Sequence, residues 1–520
     1  MGTSTSTGTL TAGQSRTFNL SPASAVTLTM LPNARVTITE TPTGVSGSGL
    51  GGNATRVHEP RLPGSFTYGP YPMGGSVVVE VGSTSGSSVG WVETWALYGI
   101  ASNGGVLQLS TLTNVLSKCW QGKVSSVVSG ADYSNRVCTV LETHTDLVRI
   151  GILNSVAADL VGVKVAIASA PSMPAELASL ATPAANGSGW KACALAADTV
   201  LAGTDANAVS ITWTDWTACS TVDRTDGGTL PVLFVTIQLP STVANRPAFN
   251  STTSRAGWEA EGSAAAAPFG RPWKSRAQAV LAVDTPTDIT STTYATTGIP
   301  FVIQYIPRNA QGYTVHVVGD SLLEGIGATI NGHGSVEIAR AAVSSMDRPV
   351  EICCQAISAG TPTNWVSRQT PMIPAIKPEL VLLALQSPNS WSGGTISNNP
   401  STGNIQSMRQ QVAKIRALAR DTGSLVLGWA GLPMLRDASE AAGSGEDYDT
   451  TISHLNDYID AFLSGGLPVV DTYTPAVGST DADGQDRFIV GTSSDGLHRN
   501  DTGHTADAVP LMAVLRRIMF

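Results

Sequence analysis

The sequence has few charged residues, few cysteines and no long apolar runs, and each shortage excludes a class of protein. Asp, Glu, Lys and Arg make up only 13% of the 520 residues, and there are six cysteines. Cysteines so sparse do not form a disulfide framework, and no Cys-x-x-Cys or His-x-x-x-His pattern indicates a metal site. No apolar run reaches the roughly 18 residues that span a bilayer. We therefore expect no metal, no organic cofactor and no membrane insertion.

The net negative charge limits the classes of molecule that the protein is expected to bind. The formal net charge is −9, which argues against nucleic acid or an anionic membrane as the partner. The N-terminal residues, Met1–Thr5, lack the basic segment and apolar core of a secretory signal. We therefore expect a protein that is made in the cytoplasm without a signal peptide and that does not bind nucleic acid.

The first 310 residues carry the pattern of two all-β domains. The length suggests about three domains at ~150 residues each, and the 53 glycines suit tight turns. In residues 1–100, short stretches such as 35–40 and 76–81 alternate or are rich in valine, which predicts a small β-sandwich. Residues 101–310 predict a second sandwich or jelly roll. Its strand candidates are Val148–Leu153, Val161–Ala168, Val232–Leu239, Ala277–Val283 and Phe301–Tyr305.

Residues 311–520 change pattern. Continuous apolar runs indicate parallel strands buried on both faces; they are Thr314–Val318, Val350–Cys354, Leu380–Leu385, Ser424–Leu427 and Leu467–Val470. Apolar stripes with helical spacing lie between them, at 405–419 and 452–463. This alternation predicts a doubly wound α/β sheet with its site at the carboxyl ends of the strands. We expect residues 311–520 to form a self-sufficient domain.

Two short motifs in this last region supply the parts of a serine hydrolase. Gly319-Asp320-Ser321-Leu322 follows the first apolar strand, and Asp495-Gly496-Leu497-His498 stands near the C-terminus. Ser321 can attack, His498 can take its proton, and Asp495 can orient the imidazole. Either motif alone is an ordinary turn, so the prediction depends on their order and context. We expect Asp320 to support the loop, and His504 to be structural.

The two motifs together resemble the SGNH (GDSL) family of serine hydrolases. The resemblance covers residues 312–520, including a glycine after the second strand, Gly360, and an asparagine after the third, Asn389. It implies an oxyanion hole made by the backbone N–H groups of Ser321 and Gly360 and the side chain of Asn389. The usual Gly-x-Asn-Asp is replaced by Gln386-Ser387-Pro388-Asn389-Ser390, which leaves the register of Asn389 open.

Four tryptophans are candidates for substrate binding. Trp365 and Trp391 follow Gly360 and Asn389 closely, so either could wall an acyl pocket or lie in the core. Trp213 and Trp216 occupy a polar stretch of the middle region, where exposed rings could stack on sugars. Since large aromatic residues are mostly buried, a place in the core is the alternative for each of them.

A second resemblance concerns the N-terminal region. The stretch 66–71 followed by a valine-rich strand resembles the small β modules of bacteriophage tail fibres. It implies a virion protein that contacts other tail proteins through residues 1–100, and it leaves a homotrimer open as the assembly. The expected activity is then a serine esterase that removes O-acetyl groups from a bacterial surface polysaccharide. The alternatives are an esterase or lipase acting on small or lipidic esters, and a tail adhesin that binds glycan without catalysis.

Overall fold

A computed structural model describes most of the chain, in separate stretches. The described residues are 3–20, 24–30, 36–42, 54–58, 64–68, 75–81, 88–96, 115–120, 124–128, 132–172, 189–205, 207–250, 273–278, 297–329, 334–385, 402–429, 467–472, 476–480, 486–493 and 498–519. The predicted helical stripe at 452–463 lies outside them. Among the described helices, none is both long and apolar enough to cross a membrane.

The described strands between residues 3 and 96 form two antiparallel sheets of four strands each. The orders are β1-β8-β3-β6 and β2-β7-β4-β5. The alternation in β7 is visible in its burial, because Val77, Val79 and Val81 are buried whereas Glu80 is exposed. The strands are β1 Thr3–Thr11, β2 Ser15–Leu20, β3 Ser24–Met30, β4 Val36–Pro42, β5 Ala54–His58, β6 Gly64–Tyr68, β7 Gly75–Val81 and β8 Ser88–Ala96.

The middle region is also built of strands, with a 3₁₀ turn at Ala196–Asp198. The strands are β9 Leu116–Trp120, β10 Val124–Val128, β11 Tyr133–Val140, β12 Thr145–Asn154, β13 Leu160–Val161, β14 Lys164–Ala170, β15 Lys191–Cys193, β16 Thr199–Val200, β17 Ser210–Trp213, β18 Thr217–Ala218, β19 Val232–Leu239, β20 Asn245–Asn250, β21 Trp273–Gln278, β22 Thr297–Gly298 and β23 Phe301–Pro307. The strand expected at Ala277–Val283 overlaps the described strand Trp273–Gln278 at its first two residues, and residues 279–283 lie outside the described part of the chain.

Two sheets of the middle region share one apolar core. A five-stranded antiparallel sheet has the order β15-β14-β19-β11-β21. Its inward residues, such as Val235 and Ile237, are fully buried in one cluster with Ile150 and Ile303 from β12 and β23 of another sheet. Burial of this apolar surface is the main favourable term in holding the two sheets together.

The last region contains the parallel strands and all the α-helices described. The strands are β24 Tyr313–Val318, β25 Val350–Cys354, β26 Leu380–Ala384, β27 Leu425–Trp429, β28 Val469–Val470, β29 Val477–Thr480 and β30 Asp486–Phe488. The helices are α1 Ser321–Glu324, α2 Ser335–Val343, α3 Pro362–Ile376, α4 Thr402–Thr422 and α5 Asp501–Met519. Gly423, with φ of 79° in the left-handed region that favours glycine, ends α4.

The order of the parallel strands is that of a doubly wound sheet. They lie side by side as β25-β24-β26-β27-β28, which in chain order is 2-1-3-4-5. Since crossovers are right-handed, α2 lies on one face of the sheet and α3 with α4 on the other; α2 packs against α5, and α3 against α4. The switch of direction occurs at β24, so a crevice is expected where β24 ends.

A strand of the middle region continues the parallel sheet. β9 pairs in parallel with β25 on one side and antiparallel with β23 on the other. The antiparallel and parallel strands therefore belong to one ten-stranded sheet. The domain boundary predicted between residues 310 and 311 runs through this sheet, because β9 precedes it in the chain while its partner β25 follows it.

A buried polar network reinforces the same junction. Arg340 of α2 pairs with Glu142 at 2.6 Å and with Glu337 at 2.9 Å, and all three are almost fully buried. The Tyr305 hydroxyl donates to Glu351 of β25 at 2.7 Å. Removing Arg340 would leave the buried carboxylates of Glu142 and Glu337 without this counter-ion, which is strongly destabilising.

Candidate active site

The nucleophile candidate lies where β24 ends. Gly319 and Asp320 connect this strand to α1, and Ser321 is the first residue of that helix. The Asp320 carboxylate caps the helix by accepting a hydrogen bond from the Leu322 N–H at 3.1 Å. This cap confirms the supporting role that the sequence predicts for Asp320. A Cβ atom at Gly319 would lie 2.9 Å from Leu323 Cδ1 and 3.0 Å from Ala384 Cβ, so a larger residue would force these buried neighbours to shift.

His498 is brought to Ser321 from the far end of the sequence. Its Nε2 atom lies 3.0 Å from Ser321 Oγ, although the two residues are 177 positions apart. Ser321 is only 6% exposed, and His498 is half-buried. When the hydroxyl donates to Nε2, the ring carries its own proton on Nδ1. This is the hydrogen bond between nucleophile and base that a serine hydrolase requires.

Three other predicted site residues lie outside the described part of the chain. They are the carboxylate candidate Asp495, the oxyanion candidate Asn389, and Trp391. Their roles remain predictions. The stretch that contains Asp495 is bracketed by described residues, since Ser493 forms an isolated antiparallel bridge with Arg499.

Gly360 lies beside the nucleophile loop, in the turn that follows β25. Ile357 donates its N–H to the Gly319 carbonyl at 2.9 Å, which holds the two segments together. A side chain at Gly360 would approach the Ile357 carbonyl oxygen to 2.7 Å, so this position also requires glycine. In the described conformation the Gly360 N–H donates to that same carbonyl at 2.7 Å. Its service as an oxyanion donor remains a prediction, and it requires this N–H to turn toward the substrate.

The three described tryptophan candidates are buried or half-buried. Trp365 of α3 is fully buried in the apolar core around the parallel sheet. Of the two places that the sequence allows for it, the structure shows the core and not the wall of an acyl pocket. Trp213 and Trp216 are half-buried. The guanidinium of Arg149 lies between them, 4.6 Å from the Trp213 ring and 4.7 Å from the Trp216 ring. Each ring therefore already has a cation stacked on it.

His504 supports the site without entering it. Its Nδ1 accepts from the Ser335 N–H at the start of α2, and its Nε2 donates to the Ile326 carbonyl just after α1, both at 3.3 Å. Burial lowers the pKa of His504 to about 4, which keeps the ring neutral. The structural role that the sequence predicts for His504 is confirmed.

Sequence reasoning missed two features of the site. Glu324, three residues after the nucleophile, is 2% exposed. Burial raises the pKa of the Glu324 carboxyl to about 8. A hydrogen bond from the Ser358 N–H lowers this pKa, and the nearby charge of Asp320 raises it by a smaller amount. The other missed feature is an ion pair between Arg499 and Asp507, whose atoms are 2.7 Å apart. Neither has a sequence signal, because burial and pairing across a fold are not visible in local pattern.

The described residues contain no group of three or more His, Cys, Asp or Glu side chains placed to hold a metal ion. The chemistry that the described site can perform is proton transfer from Ser321 to His498, followed by attack of the serine oxygen on an electrophile.

No family model and no curated protein matches this chain. Solved structures do match parts of it. A GDSL-like lipase from Bacteroides thetaiotaomicron is 17% identical with a TM-score of 0.29, over 39% of this chain and 88% of that one. A catalytic mutant of an acetylxylan esterase from Geobacillus stearothermophilus is 14% identical with a TM-score of 0.30, over 40% and 94%. A family 3 carbohydrate esterase from Clostridium thermocellum is 15% identical with a TM-score of 0.27, over 40% and 100%. Likenesses of this size say nothing about the reaction of this chain.

Proposed function

We propose that this chain is a serine ester hydrolase of the SGNH type. The observation that carries the proposal is the 3.0 Å contact between His498 Nε2 and Ser321 Oγ, at the carboxyl end of β24. The two residues belong to two short sequence motifs, and they meet at the switch point of a doubly wound sheet, where such folds bind ligands. A chance pair of turn motifs would have no reason to meet there.

The proposed reaction begins with attack of Ser321 Oγ on an acyl carbonyl while His498 Nε2 takes the hydroxyl proton. The oxyanion that forms would be held by the Ser321 N–H, the Gly360 N–H and the Asn389 side chain. His498 then gives its proton to the leaving alcohol, and water hydrolyses the acyl-serine by the reverse sequence of proton transfers. Asp495 would hold the imidazole and stabilise its charged form.

The direct test is covalent labelling of the nucleophile. A fluorophosphonate should modify the intact protein at Ser321, and peptide mass spectrometry locates the label. Ser321→Ala should abolish both labelling and the hydrolysis of p-nitrophenyl acetate. An intact protein that neither reacts with the probe nor hydrolyses the ester would refute the proposal.

We infer that the substrate is a bacterial surface polysaccharide carrying O-acetyl groups, and that the protein is part of a phage tail. This finer proposal is supported by the tail-fibre resemblance of the N-terminal region. Acetate release from purified O-acetylated polysaccharides tests the substrate, and an acyl-length series separates an acetylesterase from a lipase. Glycan binding without turnover would indicate an adhesin. Mass spectrometry of purified particles tests the place in the virion.

A further inference from the structure

The arginine that follows the catalytic-base candidate is buried and fully engaged. Arg499 and Asp507 are 2% and 1% exposed. Arg499 Nε donates to Asp507 Oδ2 at 3.0 Å, and Nη2 donates to Asp507 Oδ1 at 2.7 Å. Its third nitrogen, Nη1, donates to Thr492 Oγ1 at 2.7 Å. The guanidinium carbon also lies 4.6 Å from the centre of the Phe488 ring. This planar, bidentate arrangement fixes direction as well as distance.

The partners of Arg499 come from different parts of the chain. Asp507 belongs to the second turn of α5, Phe488 ends β30, and Thr492 lies on the other arm of the hairpin that contains His498. The Ser493 hydroxyl adds a hydrogen bond to the His498 carbonyl at 2.8 Å. The backbone that carries His498 is therefore tied to α5 and to β30 by one side chain.

The same backbone rests directly on the nucleophile loop. At Gly327, a side chain would meet the Arg499 carbonyl oxygen at 2.3 Å and His498 Cβ at 3.1 Å. Residues 498–499 thus lie against the segment that follows α1, with no room between them. A shift of the hairpin away from α5 would therefore change the separation of His498 and Ser321. Among the described residues, the Arg499–Asp507 ion pair joins the hairpin to α5.

We propose that Arg499, through its ion pair with Asp507, is a positioning residue that holds His498 at hydrogen-bond distance from Ser321. The inference rests on the proposed esterase function. A buried ion pair is a poor source of net stability, because the desolvation of both charges offsets their attraction. Its use here is geometric. A displacement of about 1 Å between reacting groups can lower a rate by roughly a hundredfold.

The test compares variants of the full chain on p-nitrophenyl acetate. Arg499→Met and Asp507→Asn should each lower kcat at least tenfold and leave KM within a factor of two, because neither residue is among those proposed to contact the substrate. Arg499→Lys, which keeps the charge but not the two parallel hydrogen bonds, should recover part of the loss. Thermal melting and the rate of fluorophosphonate labelling at Ser321 are measured for each variant.

The matched control is Arg340→Met, which removes another arginine that is 2% exposed and ion-paired, at the junction with the middle region. It should lower the melting temperature and leave kcat unchanged. Wild-type kcat in Arg499→Met and Asp507→Asn would overturn the inference. So would an equal loss of kcat in Arg340→Met, since the effect would then be one of general stability.

If Arg499→Met does not fold, the kinetics of Asp507→Asn and Arg499→Lys decide. A wild type without esterase activity or labelling refutes the proposed function, and the positioning role with it.

Discussion

At the scale of single residues, the site is defined by one distance. Ser321 Oγ and His498 Nε2 are 3.0 Å apart, so proton transfer between them needs no rearrangement of either segment. Both residues could be identified from sequence, because each motif combines a reactive side chain with the turn residues that present it. Arg499 and Glu324 could not, since their importance depends on what surrounds them.

The first prediction concerns the Ser321–His498 pair. Ser321→Ala and His498→Ala should each lower kcat for p-nitrophenyl acetate by roughly three orders of magnitude or more, with unchanged melting curves. Because the two residues act as a unit, the double variant should be scarcely worse than either single one. Steady-state kinetics on the three variants checks this, and multiplicative losses would mean that the residues act independently.

The second prediction concerns the buried Glu324. Its folded pKa of about 8 lies above the ordinary value of 4.5, so the folded state keeps a proton that the unfolded state releases. Its contribution to stability is therefore complete below pH 4.5 and is lost as the pH rises toward 8. Glutamine cannot ionise, so Glu324→Gln lacks this loss. The unfolding free energy of the variant, relative to that of wild type, should therefore rise by on the order of 1 to 3 kcal/mol from pH 5 to pH 8.

Urea unfolding at the two pH values measures this difference. The control is Glu80→Gln, the same substitution at an exposed position of β7, which reports any general effect of the change on unfolding at the two pH values. A pH-independent difference for Glu324→Gln would show that the Glu324 carboxyl is ionised in the folded protein throughout this range.

At the scale of elements, the parallel strands and α4 were predictable and several others were not. The strands at Val232–Leu239 and Val350–Cys354 have the predicted bounds, because continuous apolar runs mark strands buried on both faces. The helix α3 contains Pro371 and Pro374, and prolines at such interior positions predict the end of a helix. β9 gave no prediction either, since its five residues include a serine, a lysine and a cysteine, and its partners lie far away in sequence.

The third prediction belongs to α1. Asp320 caps this four-residue helix, and Ser321, the proposed nucleophile, is its first residue, so the cap and the position of Ser321 are coupled. Asp320→Ala should cost at least about 1 kcal/mol in stability and should also lower kcat. Asp320→Asn keeps a good capping side chain and should be much closer to wild type in both. Urea unfolding and kinetics on the pair test this; equal effects of Ala and Asn would show that the charge of Asp320, rather than its cap, is what matters.

At the scale of the whole molecule, the ten-stranded sheet contains strands from both sides of the boundary that the sequence predicts. Composition and periodicity change near residue 310, and this change predicts the boundary. The sheet crosses it, because β9 pairs with β25 and Arg340 pairs with Glu142. Sequence patterns predict the type of each segment, but pairing between segments that lie far apart in the chain depends on the assembled fold.

The fourth prediction follows from this continuity. A fragment of residues 311–520 loses β9 and Glu142, which leaves β25 as an edge strand and Arg340 without one of its partners. It should be less soluble and melt at a lower temperature than a fragment of residues 115–520, which should fold and hydrolyse p-nitrophenyl acetate like the full chain. Expression, melting and kinetics of the two fragments provide the measurement. A soluble, fully active 311–520 fragment would show that the parallel sheet is self-sufficient.

The place of β9 also determines the order in which the protein can be completed during synthesis. Cys119 of β9 faces Cys353 of β25, 234 positions later. When β9 leaves the ribosome, neither β25 nor β23 has been made. The strand therefore has no partner in the sheet until the intervening chain has been translated. Unpaired strand edges are where nascent chains associate wrongly, and pairings of such high contact order form slowly. We therefore expect refolding of the full chain to be slow and to gain yield from a holdase chaperone, with the delay set by capture of β9 between β23 and β25.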